Sequence, residues 1–78
     1  MVLSNETMNF EQDIIATQLH ETVELLMQLF DNNPESANLW LLSPNHLFFD
    51  KTPIEMIFEG HGDTVIETLK EWSETKNV

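Results

Sequence analysis

Apolar side chains fall at helical spacing along most of this chain. Phe10, Ile14, Ile15, Leu19, Val23, Leu26, Met27 and Phe30 mark one stripe, and Gln12, Asp13, Gln18, Glu21 and Gln28 are left for the opposite face. Asn9 to Gln12 reads as a helix start, because the Asn9 side chain can accept from an orphan N–H and Gln12 can reach back. The pattern predicts a first helix near residues 10–30, preceded by a flexible stretch at 1–9. Leu25 and Leu29 widen its apolar stripe beyond what one small domain can cover, which makes them the candidate homodimer surface.

Asp31-Asn32-Asn33-Pro34 ends that helix and begins another, with Asn33 as N-cap and Pro34 at the first helical position. The second helix, 34–42, turns Ala37, Trp40 and Leu41 inward. Pro44 closes it by disfavouring helical dihedrals at Ser43, and residues 45–51 form a compact connection. Thr52-Pro53-Ile54-Glu55 has the form of a capping box and predicts a third helix, 53–59, burying Ile54, Ile57 and Phe58. Gly60 suits the left-handed end of that helix. Asp63 is the expected N-cap of a fourth, 63–74, which carries Val65, Ile66, Leu69 and Trp72 inward. Residues 75–78 are expected to fray. No run has the two-residue period of a strand, so the expected fold is all-α: one domain over residues 10–74, a small bundle of about four helices with short connections.

Composition narrows the function. Three Lys, no Arg and 14 acidic residues give a net charge of −11 on 78 residues. Binding phosphate needs clustered basic groups, so direct nucleic-acid binding is not expected, and the same shortage argues against anionic membranes. Leu, Ile, Val and Phe make up 24 of 78 residues, above the ~20% typical of disordered chains, so the sequence should fold. With no Cys, disulfides and thiolate metal sites are excluded. The longest apolar run, Leu39 to Leu42, is far shorter than the ~20 residues that span a bilayer. The first residues resemble no secretory leader, and the expected location is the cytoplasm.

The stretch Asn33-Pro34-Glu35-Ser36-Ala37-Asn38-Leu39-Trp40-Leu41, then Pro44-Asn45-His46-Leu47, Thr52-Pro53-Ile54-Glu55-Met56-Ile57, Gly60, Gly62, Val65 and Leu69 resembles the toxin-binding domain of the Xre/MbcA/ParS-like antitoxins. The resemblance runs from about Leu19 to Trp72. It implies an A-x-x-W-L helix, a P-N-x-x-L turn, a T/S-P-L-E-x-L helix, here with Ile54 and Ile57 at the leucine positions, and a final helix with V-x-x-x-L after a glycine-containing turn. It also implies a protein partner, a RES-type toxin that consumes NAD, neutralised by covering its active-site cleft. Two departures stand out. About 18 residues precede the resemblance, so the DNA-binding half usual in the family is expected to be missing. Leu47-Phe48-Phe49-Asp50 lies where the family commonly has a glycine soon after the leucine.

Phe48 and Phe49 are adjacent on a connection, so one is expected to fill the core and the other to face outward, without the sequence saying which. Trp72 ends the inward stripe of the last helix and can serve either as core or as an anchor for a partner. Phe48, Phe49 and Trp72, rimmed by Glu71 and Glu74, form the candidate partner-binding set. His20, His46 and His61 come from separate segments, and no spacing suggests a metal site or a cofactor. The carboxylates fall mainly on polar helix faces, and no catalytic motif is present, so a non-enzyme is expected. The alternative to an antitoxin is an acidic adaptor or DNA mimic that presents carboxylates to a basic nucleic-acid-binding protein. A third possibility is a structural subunit that only dimerises.

Overall fold

A computed structural model describes the backbone of residues 2–76 and the side chains of residues 12–75. Four helices follow one another: α1 (Val2–Leu29), α2 (Pro34–Leu42), α3 (Pro53–Met56) and α4 (Gly62–Lys76). A single 3-10 turn, His46–Phe48, lies between α2 and α3, and a wide turn, Ile57–His61, joins α3 to α4. No strand occurs among the described residues; Asn45 and Lys51 form an isolated antiparallel bridge across the turn.

α1 begins well before Asn9 and passes through it, so Asn9 is not the N-cap. Nothing upstream breaks a helix, since the first proline is Pro34 and the first glycine Gly60. An asparagine inside a helix costs only a few tenths of a kcal/mol relative to better formers. The candidate N-terminal stripe member Phe10 has a side chain outside the described residues. The other end of α1 lies where expected. Asp31 adopts left-handed dihedrals (φ 55°), and the Asn32 N–H reaches back to the Met27 carbonyl at 2.6 Å, a Schellman-type closure.

Local chemistry positions the next two helices. The Asn33 carboxamide oxygen accepts from the N–H groups of Glu35 and Ser36 at 3.0 and 3.2 Å, and Pro34 opens α2. At α3, the Glu55 N–H donates to the Thr52 hydroxyl at 3.1 Å, and the Thr52 N–H donates to the Glu55 carboxylate at 2.9 Å. Two orphan donors are thus satisfied reciprocally. These bonds hold the Glu55 carboxyl below the usual glutamate range, the Thr52 N–H contributing most and the Thr52 hydroxyl next.

The core is one cluster: Leu26 from α1, Ala37 and Leu41 from α2, Phe48 from the connection, Met56 and Ile57, and Val65 and Leu69 from α4. Thr22 is fully buried, its hydroxyl satisfied by the Gln18 carbonyl at 2.7 Å. α3 is turned one residue from its expected phase. Pro53, Met56 and Ile57 are buried, Ile54 is half-buried, and Phe58 is 58% exposed. Both 53/56/57 and 54/57/58 have i, i+3, i+4 spacing and share Ile57, so periodicity alone does not choose between them. The wide turn that follows Met56 carries Phe58 outward.

Gly60 has φ 95°, the left-handed conformation expected of it. Two residues on, Gly62 is already helical (φ −64°, ψ −31°), and α4 starts there instead of being capped by Asp63. The Asp63 carboxylate accepts from the Thr64 N–H at 3.0 Å inside the first turn, where its charge complements the helix dipole. Gly62 lets α1 approach closely, since a Cβ there would lie 3.1 Å from that of Gln18 and closer still to its carboxamide. Further along α4, Lys70 pairs with Glu21 at 3.5 Å. Gln18 therefore meets the head of α4, and the residues of α1 before it extend past that helix, within a molecule 50 × 23 × 22 Å.

Candidate partner-binding surface

The connection between α2 and α3 sorts its two phenylalanines to opposite sides. Asn45 is its hub: its side-chain oxygen accepts from the Leu47 N–H at 2.9 Å, and its carbonyl accepts from the N–H groups of Phe48 and Asp50 at 2.9 and 3.0 Å. Its N–H in turn donates to the Lys51 carbonyl at 3.1 Å. So tight a reversal requires left-handed backbone at Phe49 (φ 58°) and Asp50 (φ 66°). Phe48 is 2% exposed and Phe49 90%. Phe48 is thus a core residue and drops out of the contact set, packed edge-to-face on Trp40 with ring centroids 6.1 Å apart.

Trp40 links this core ring to the surface. It also meets Trp72 edge-to-face at 5.8 Å, and Trp72 is 37% exposed, flanked on α4 by exposed Glu71 and Glu74. Trp40 itself is half-buried, less enclosed than its stripe suggested. Beside it lies a groove of about 350 Å³ lined by Phe30, Ser36, Leu39, Trp40 and Ser43. Leu39 and Leu42 stand out from α2 at 69% and 62% exposure. The outer face of α2 and the end of α4 therefore offer apolar groups with carboxylates nearby.

Phe49 belongs to a different groove, of about 290 Å³, which it lines with Lys51, Met56, His61 and Thr64. Lys51 is held there by a hydrogen-bonded ion pair with Glu59, which raises its pKa above the ordinary lysine value first through the hydrogen bond and then through the opposite charge. The candidate contact set thus divides: Trp72, Glu71 and Glu74 go with α2, and Phe49 with the turn. Leu25 and Leu29 are half-buried and pack against the core. The more exposed apolar side chains are elsewhere, at Ile14, Leu39, Leu42, Leu47 and Phe58.

Leu39 and Leu42 lie outside the contact set expected from the sequence, yet their exposure has a sequence signal. Four consecutive apolar residues, Leu39 to Leu42, sweep about 300° around a helix at 100° per residue, so some of them must face away from the core. Of the lysines, Lys51 and Lys70 are each engaged with a glutamate. Among the described residues no three His, Asp or Glu side chains are grouped to hold a metal ion, and no helix is long and apolar enough to cross a membrane.

A small helical module that exposes aromatic and aliphatic side chains among carboxylates is built for binding another protein. The chain belongs to the Xre/MbcA/ParS antitoxin family: residues 25–72 match the model of the antitoxin Xre/MbcA/ParS C-terminal toxin-binding domain. That span holds α2, the Phe48–Phe49 turn, α3 and α4 as far as Trp72, and it leaves out most of α1. No curated protein and no solved structure matches the chain.

Proposed function

We propose that this protein is the antitoxin of a toxin–antitoxin pair and neutralises a RES-type, NAD-consuming toxin by covering its active-site cleft. The observation that carries the proposal is the family match over residues 25–72, a span that exposes Leu39 and Trp72 on either side of half-buried Trp40, with Glu71 and Glu74 beside Trp72. Occlusion requires no catalytic group on the antitoxin. A toxin cleft that grips dinucleotide phosphates is basic, and a partner at net −11 is steered toward it and competes for the same groups. Such a pair meets in the cytoplasm, where NAD is consumed. The antitoxin acts as a homodimer in this reading.

Coexpression tests the proposal. Cells making a RES-type toxin encoded beside this chain should recover growth and NAD content when the chain is present, and the two proteins should copurify. Trp72→Ala should weaken the complex about 30-fold, ~2 kcal/mol, as loss of an interface tryptophan does. NAD loss that continues at full antitoxin expression, with no complex formed, contradicts the proposal. Capture of a DNA-binding protein, released by added DNA, would instead favour the acidic-adaptor reading.

A further inference from the structure

A cleft that holds a dinucleotide seats flat rings in apolar slots and grips phosphates with cations. We propose that the Phe49–Asp50 turn enters the toxin's NAD cleft, the Phe49 ring taking the slot of a base and the Asp50 carboxylate meeting a cation that otherwise holds phosphate. This rests on the antitoxin reading above and names the part of the chain that carries it out. Phe49 is 90% exposed, more than any other large apolar side chain among the described residues. Asp50 follows it directly and is exposed as well. The neighbouring cation, Lys51, is engaged by Glu59 rather than by Asp50. The turn therefore presents a flat apolar ring and a carboxylate on consecutive residues, within the span 25–72 that matches the toxin-binding domain.

Reach and charge set this turn apart from the other exposed aromatic groups. Trp72 is 37% exposed and held against Trp40, so it can cover the rim of a cleft but does not project into one. Phe58 is also followed by a carboxylate, but that of Glu59 is already paired with Lys51. The Phe49 turn is fixed from below: buried Phe48 anchors it in the core, and Asn45 accepts from the N–H groups of Leu47, Phe48 and Asp50. A side chain on so constrained a backbone loses little freedom on binding. Its left-handed dihedrals are ones that an L-residue adopts at a cost, and burial of the ring does not offset that cost. Strain of this kind collects at ligand clamps. The net charge of −11 draws the whole antitoxin to a basic cleft without orienting it, whereas the paired ring and carboxylate give one orientation.

The test is the affinity of the full chain for the RES-type toxin encoded beside it, measured with and without saturating carba-NAD, an analogue the toxin cannot cleave at the nicotinamide bond. The analogue should weaken binding of the parent chain. Phe49→Gly should lower affinity at least tenfold, and the binding that remains should be insensitive to carba-NAD, because its contacts lie at the rim. Asp50→Asn, which tolerates the same left-handed backbone, should lower affinity severalfold and make it less dependent on salt. Phe49→Tyr keeps a flat ring and should bind like the parent. Trp72→Ala should weaken the complex yet leave it displaceable by carba-NAD. Thermal midpoints confirm that each variant is folded. A Phe49→Gly chain that binds as tightly as the parent, or that carba-NAD displaces as readily, overturns the assignment of this turn and leaves the antitoxin reading standing. Absence of any complex with the parent chain overturns both.

Discussion

The two connections that flank α2 reverse the chain in the same way, with two consecutive left-handed residues: Asp31 and Asn32 in the first (φ 55° and 62°), Phe49 and Asp50 in the second (φ 58° and 66°). Their side chains suit that backbone very differently. Asp and Asn tolerate left-handed dihedrals because their short polar groups bond locally, but for most L-residues the conformation costs ~1–2 kcal/mol. Phe49 bears that cost and, at 90% exposure, recovers almost nothing by burial. Backbone preference and burial would both favour another residue at this position. The first connection is explained by folding alone; the second holds an aromatic side chain outward, and we propose that it does so to meet a partner. Its surroundings keep it there, with the Asn45 bonds on one side and the Thr52–Glu55 cap and Lys51–Glu59 pair on the other.

The sharpest way to break this contrast is to exchange the roles of the neighbouring rings. Phe48→Ala should destabilise the fold by ~3–5 kcal/mol, because it empties the centre of the core and removes the edge of Trp40's packing. Phe49→Ala should leave the thermal midpoint nearly unchanged. Chemical denaturation of both variants checks this, and comparable losses would place Phe49 in the core instead.

A smaller effect tests whether the cap helps to anchor the strained turn. Thr52→Ala should cost about 1 kcal/mol of stability. Because folding lowers the pKa of Glu55, its contribution is present above the ordinary glutamate value of about 4.3 and disappears as pH falls through that value and below. Lys51 has the opposite sign: its raised pKa gives a contribution fully present below the ordinary lysine value of about 10.4 and lost above it, as pH rises through the raised folded-state value. Glu55→Gln should flatten the acid side of the midpoint-against-pH curve, and Lys51→Met the alkaline side.

Elements set by a few neighbouring residues were readable in the sequence. Asn33-Pro34, the Thr52–Glu55 box and the left-handed Gly60 each carry their own local signal, and all three appear where expected. What depended on more distant geometry was not readable. The phase of α3 rested on two equally spaced apolar sets, and the start of α1 on the absence of any breaker upstream. The fate of Phe48 and Phe49 depended on dihedrals that neither residue type announces. The contact set was split for the same reason: sequence proximity grouped Phe48 with Phe49, whereas packing joins Phe48 to Trp40, and Trp40 to Trp72.

The most direct measurement replaces the left-handed residues by glycine and follows stability and toxin affinity in the same variants. Asp31→Gly should change stability by no more than ~0.5 kcal/mol, since a side chain that already tolerates the conformation releases little strain and glycine adds freedom to the unfolded chain. Phe49→Gly should raise stability by about 0.5–1 kcal/mol, the relieved strain less that same entropic cost, while toxin affinity falls at least tenfold. A Phe49→Gly protein that is less stable than the parent, or that binds the toxin as tightly, would contradict the claim that Phe49 is held in strain for its partner.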